Sequence, residues 1–177
     1  MSESAPPRYA PYYCEENVWW LAQRVRPGET RAEVAIVTNA ARSVVFAAQR
    51  ASEDGLPITW DYHVVLASFS PRGTDVWDLD CTLGMPLPAH AWIDASFPAS
   101  APARLAPRFR VVPAERYVAA LASDRHHMRA PDGSWLVPPP PWDPIGGGRD
   151  ELARWLDLDD PTHGAAIDLR ALRDRWR

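Results

Sequence analysis

The chain has no lysine: all nineteen of its positive side chains are arginine, set against 23 carboxylates, for a formal net charge of -4 and a pI near 5.7. A surface that binds nucleic acid ordinarily carries a basic excess. None is present, so no nucleic-acid partner is expected. Cysteine is scarce too. Cys14 and Cys81 could form at most one disulfide. Met1–Pro7 has neither a basic segment nor an apolar one, so free thiols are expected instead. No run approaches the length needed to span a bilayer. The expectation is a soluble cytoplasmic monomer without a membrane partner.

What is present is ordinary for a globular chain: 177 residues, 46% hydrophobic and 24% charged, enough to bury a core. We expect residues 1–10, rich in Pro and Ser, to be a flexible arm and 11–177 to form a single domain. Val18, Leu21, Ala22 and Val25 recur at i, i+3, i+4 and i+7, predicting a helix that starts near Cys14 and stops at Pro27-Gly28. Residues 33–39 and 43–48 read as strands, with a hairpin between them. Cys81 to Pro107 is too apolar for a free linker and reads as a packed, irregular wrap. Residues 108–112 alternate like a strand, and Pro113 then opens a helix whose apolar stripe is Tyr117, Val118, Leu121 and Ala122. Pro138–Pro141, between Trp135 and Trp142, reads as a rigid strap over its own domain, the alternative being a ligand for an SH3-type partner. Gly146–Gly148 reads as a flexible joint, since no phosphate-loop Lys follows it. Short helices around 151–156 and 169–176 are expected to dock at the end.

The most informative stretch is Thr59–Leu66, a β-branched and aromatic run that predicts a strand carrying His63. Ser70-Pro71-Arg72-Gly73 turns the chain into a second run, Val76–Asp80, which makes a hairpin. Pairing His63 with Asp78 centres the turn between Ser70 and Pro71, and opposed residues share a face. A small register change would bring Asp80 opposite instead. On the residues alone both aspartates are candidates, and either pair could be an ordinary cross-strand contact. Trp60, of opposite parity to His63, is expected in the core.

Cys14 sits four residues before Val18, on the apolar face, where it could be a small buried hydrophobe. It also sits at a helix start, where unpaired N–H groups lower a thiol pKa and favour a thiolate nucleophile. Glu15 and Glu16 pull the other way unless they point elsewhere. A thiol, an imidazole and a carboxylate in this order supply the parts of nucleophilic catalysis at an acyl carbon. A metal reading is weak, because His126-His127 with Cys81 lacks ligand spacing.

Several segments, in order, carry a likeness: Tyr13-Cys14-Glu15-Glu16-Asn17, Trp60-Asp61-Tyr62-His63-Val64-Val65, Asp78-Leu79-Asp80, Phe109-Arg110-Val111, Ala122-Ser123-Asp124-Arg125 with His127-Met128, and Trp135 before Pro138–Pro141. Together they resemble the protein N-terminal glutamine amidohydrolase family from about Tyr12 to Ile145. The resemblance implies a papain- or transglutaminase-like α+β fold, with the nucleophile-bearing helix packed on an antiparallel sheet. It implies Cys14 as nucleophile, His63 as base and Asp78, rather than Asp80, as the orienting acid. The family pattern has no required thiol at Cys81, which we expect to be structural. The implied reaction deamidates the glutamine that begins a polypeptide, through a thioester, with no cofactor or metal. Recognition of the free α-ammonium calls for a carboxylate, and the candidates for substrate binding are Glu16, Asp61, Ser123 and Asp124. The same three groups could instead serve a protease or acyltransferase, or the chain could be a non-catalytic module acting through its proline strap.

Overall fold

A strand can bury both its faces only if something covers each of them, and Ala32–Thr38 (β1) is buried along its whole length. In the computed structural model, which describes residues 6–25 and 31–177, this strand lies at the heart of a six-stranded, wholly antiparallel sheet. Among the described residues there are also a two-stranded ribbon and five α-helices, a mixed α+β architecture. In chain order the elements are α1 (Cys14–Ala22), β1, β2 (Val44–Phe46), β3 (Ile58–Trp60), β4 (His63–Ser70), β5 (Gly73–Trp77), β6 (Leu87–Pro88), α2 (Ala89–Ser96), β7 (Arg108–Pro113), α3 (Ala114–Ala120), α4 (Leu152–Leu156), β8 (Ala166–Asp168) and α5 (Leu169–Arg175). Across the sheet the order is β6-β5-β4-β1-β7-β8.

The period of two along β1 and β4 divides the core into two. Val34, Ile36, Val64 and Leu66 face α1, α3 and α4. Ala35, Val37, Val65 and Ala67 face α2, α5 and the β2–β3 ribbon. The predicted α1 stripe is found: Val18, Leu21 and Ala22 are buried with Cys14. The helix ends at Ala22 with Gln23 as its C-cap, earlier than expected and short of Val25; Pro27-Gly28 lie outside the described residues. Tyr9 and Ala10, at the end of the expected arm, are tied down: Tyr9 donates to Asp80, and Ala10 exchanges two hydrogen bonds with Asn17.

The sequence reading needs four corrections. First, β1 and β2 do not form a hairpin. The Asn39 side chain closes a turn onto Ser43 at 2.7 and 3.0 Å, and Arg42 takes a left-handed φ of 48°. Both edges of β1 are filled by β4 and β7, so β2 pairs with β3 instead. Second, the single strand expected over Thr59–Leu66 is broken at Asp61-Tyr62, where the Asp61 carbonyl accepts from Thr38 Oγ1 at 2.7 Å. Third, β4 and β5 pair Ser70 with Gly73 and Leu66 with Trp77. The turn therefore centres between Pro71 and Arg72, one residue later than expected. Fourth, the wrap over 81–107 contains helix α2, whose buried Ala89, Trp92, Ile93 and Ser96 have the i, i+3, i+4, i+7 spacing that marks an amphipathic helix.

The remaining expectations fall close to what is observed. The strand at β7 and the helix after Pro113 are present, though α3 ends at Ala120 rather than near Ser123-Asp124, and α4 and α5 lie where two closing helices were expected. The Gly146–Gly148 joint is less free than its composition suggests: a Cβ at Gly146 would stand 2.5 Å from Ala122 Cβ. Both cysteines are free and buried. No helix among the described residues is long and apolar enough to cross a membrane.

Candidate active site

Cys14 is the first residue of α1. The turn before it is fixed by the Asn17–Ala10 bonds, each 2.8 Å, and by a left-handed Tyr12, φ 68°. The side chain shares the buried face of the helix, yet it opens onto a cavity of about 180 Å³. His63, the first residue of β4, lines the same cavity. So do Trp60, Asp61, Tyr62, Asp80 and His127, with Tyr12, Met128 and Leu136 among its remaining lining residues. No arginine is among these lining residues.

On its inner side His63 meets Asp78, Nε2 to Oδ1 at 2.8 Å. By register Asp78 would stand opposite Val65, not His63; it lies just past the end of β5, on the same face and one diagonal step away. Three further donors hold the carboxylate: Trp92 Nε1 at 3.0 Å, Gln49 Nε2 at 3.2 Å and the Asp80 backbone N–H at 3.0 Å. Burial pushes Asp78 upward, but the His63 charge and hydrogen bond, with the Trp92 and Asp80 donors, outweigh it and hold the carboxyl below its usual range. Burial likewise pushes His63 down, and Asp78 overcomes this to leave the imidazole raised. Asp80 faces the cavity and accepts from Tyr9 at 2.6 Å.

Trp60 is half-buried on the cavity wall, not sunk in the core. Its ring lies nearly parallel to His63, 6.2 Å away, and its Nε1 donates to Gln49 at 3.2 Å. Parity could not place it, because the strand is interrupted between the two residues.

The thiol also departs from expectation. Burial, and then the charge of Glu15, push Cys14 well above the ordinary thiol value, so the helix start does not prevail. The backbone of Val64, beside His63 on β4, counteracts this in part. Glu15 is fully buried and lies 3.8 Å from the sulfur through Oε2, which also accepts from Tyr62 at 2.9 Å. Burial raises its carboxyl to about 7.

Among the other candidates, Asp61 lines the cavity, with Oδ1 accepting from the Tyr62 N–H. Glu16 does not line it: the carboxylate is buried in a two-pronged pair with Arg125, both bonds 2.7 Å, and accepts from Trp142 Nε1 at 2.6 Å. Ser123 is buried, with its N–H on the Ile145 carbonyl. Asp124 caps the turn at His126. Neither of these two reaches the cavity lining.

Gln49, Tyr62, Trp92 and His127 join the site without having been singled out. Helical spacing could have indicated Trp92. Nothing local marks Gln49, which reaches Asp78 from a loop. His63, Asp78 and Asp80 bring donor atoms within 4.8 Å of one another, but both Asp78 oxygens are committed to protein donors. This is therefore a histidine–carboxylate network and not a ligand set. Asp124, His126 and Asp150 form a second, more exposed group of this kind.

A buried thiol, a histidine locked to a carboxylate, and a cavity the size of one side chain, mounted where a helix meets an antiparallel sheet, have the form of a cysteine-type acyl-transfer site. The comparison with known families is more particular. Residues 9–175 match the model of the N-terminal glutamine amidase family, and the chain belongs to that family. Proteins named protein N-terminal glutamine amidohydrolase from Drosophila ananassae and Drosophila mojavensis are 41% identical over 145 residues, covering 77% of this chain and 71% of theirs. The one from Drosophila virilis is 40% identical over the same span.

Proposed function

We propose that this chain is a protein N-terminal glutamine amidohydrolase, with Cys14 as nucleophile, His63 as base and Asp78 as the acid that orients it. The observation that carries the reading is the sharing of one small cavity by the sulfur and the imidazole, with Asp78 bonded to the far side of that imidazole. Because Nε2 is engaged by Asp78, Nδ1 is the nitrogen left to take the thiol proton. The sulfur attacks the carboxamide carbon, and the oxyanion is met by backbone N–H groups near the start of α1. His63 passes its proton to the departing nitrogen, which leaves as ammonia. Water, deprotonated by His63, then opens the thioester to give a glutamate side chain and the free thiol.

The specificity reading follows the electrostatics. A cavity lined by Asp61 and Asp80, with no arginine among its described lining residues, favours a substrate that brings a positive charge. The free α-ammonium of a chain's first residue brings one. Asp61 is the group we assign to it, since Glu16 is committed to Arg125 and Asp124 to His126. The mounting of α1 on β4 and β1 supports a papain- or transglutaminase-like fold, and we read residues 11–177 as one catalytic domain. Two unpaired cysteines suit a cytoplasmic, reducing setting.

Incubation with a Gln-initiated peptide should release ammonia and leave the peptide about one dalton heavier. An N-acetylated copy should be inert, and Cys14→Ala should abolish the reaction. Equal release from the acetylated copy would rule out reading of the chain end, and a split peptide would point to a protease.

A further inference from the structure

Beside the sulfur lies a second set of polar groups that the reaction above does not use. Glu15 Oε2 stands 3.8 Å from Cys14 Sγ and 2.9 Å from Tyr62 Oη. Tyr62 Oη is in turn 3.2 Å from His127 Nε2. Glu15 Oε1 is buried with no hydrogen-bond partner and lies 3.7 Å from the same His127 nitrogen. Tyr117 donates to the Glu15 carbonyl. The charges facing this group are mixed, with the cations His63 and Arg125 within electrostatic reach of Glu15. Glu16 is next in the helix and its Arg125 is already spoken for, while Asp61 and Asp80 lie across the cavity.

A carboxylate and a thiolate side by side in such surroundings would set two negative charges against the single imidazolium that His63 supplies, in a medium that screens poorly. We propose that Glu15 is a positioning residue for Cys14: it carries its own proton when the sulfur is ionised and, through Tyr62 and His127, fixes the two walls that flank the sulfur. A proton on Oε1 removes the charge from the orphaned oxygen, while Oε2 accepts from Tyr62, whose own oxygen can accept from His127 Nε2–H. The raised carboxyl, near 7, agrees with a proton held into the neutral range. The pair then titrates as a unit: once Glu15 ionises, each further thiolate forms against its charge. The inference rests on Cys14 being the nucleophile.

The test uses the full chain and no substrate. The rate of Cys14 alkylation by iodoacetamide is followed against pH, with mass spectrometry separating the Cys14 peptide from that of Cys81. Glu15→Gln keeps the shape and cannot charge. Its thiolate midpoint is expected at least about one pH unit below the native one, a tenfold gain in thiolate at a given pH on the rising limb. Should that variant not fold, Glu15→Met, of similar length and without polar needs, makes the same comparison. Superposed profiles, or a midpoint moved upward, would overturn the proposal, since a merely structural Glu15 would change stability and not the midpoint. Ammonia release from a Gln-initiated peptide is measured alongside. A shifted midpoint without any ammonia would sink the amidase reading and keep the role of Glu15. Ammonia with superposed profiles would do the reverse.

Discussion

Asp78 is the most heavily committed side chain in the site, and the least tolerant. It is 1% exposed and takes bonds from His63, Trp92, Gln49 and the Asp80 backbone. Asp78→Asn should lower kcat by about 10³–10⁴-fold, because an amide cannot support the imidazolium and can flip its tautomer; single-turnover kinetics checks this. Trp92→Phe removes one donor to a buried charge and leaves a cavity where the second indole ring stood, so a loss of at least about 1.5–3 kcal/mol is expected in denaturant unfolding. Asp61→Asn should act differently, raising KM about 10- to 100-fold with a small change in kcat, if the lost contact is a charge-assisted bond to the substrate ammonium. Of these residues, sequence reasoning could name Cys14, His63 and the Asp78/Asp80 alternative from chemistry and parity. Choosing Asp78 needed the family likeness. The register by itself would have favoured Asp80, because the strand stops at Trp77 and the contact is diagonal.

At the scale of elements, local rules succeeded where the chain is regular and failed where a side chain overrides the backbone pattern. The α1 stripe and β7 are plain in their periodicity. The break at Asp61-Tyr62 and the turn at Asn39 are not, for each depends on a side-chain bond to a particular carbonyl or amide. The Gly146 turn is a testable case. Its φ of 85° and its contact with Ala122 lead us to expect that Gly146→Ala costs about 2–4 kcal/mol, from left-handed strain and overpacking together, measured as a fall in the unfolding midpoint. The short turn Pro161–His163 offers another. His163 lies flat on Trp155, ring centroids 3.5 Å apart, with both ring nitrogens buried and unpartnered. Burial, then Arg116 and Arg110, hold its pKa down. The unfolded chain protonates near 6.5 and the folded one lower, so below about pH 6.5 the unfolded state binds more protons and stability falls. Tm should drop further between about pH 7.5 and 5.5 in the native chain than in His163→Phe.

Across the whole molecule, the sheet is covered on both faces, and its far edge is joined late in the chain. Arg110 on β7 is buried, forms no salt bridge among the described residues, and donates to the carbonyls of Trp155, Asp157 and Gly164, pinning the C-terminal segment to the sheet. Such a clasp joins residues more than forty apart in sequence, which is why the sequence indicated closing helices but not β8 between them. Strand order is illegible for the same reason: β1 lies between β4 and β7, and no local period encodes that. Composition, by contrast, already carried the electrostatic character. An acidic chain without lysine has built its cavity from aspartates, aromatics and two histidines.

That choice of lining has a bearing on turnover. On the proposed reading, deamidation turns a neutral carboxamide into a carboxylate, inside a chamber whose described lining already holds Asp61 and Asp80 and no arginine. If that wall draws in a chain end by its positive terminus, as proposed, it should repel the newly made glutamate and favour release of the finished polypeptide. A Glu-initiated peptide should accordingly be a poor competitive inhibitor, with an inhibition constant well above the KM of its glutamine parent.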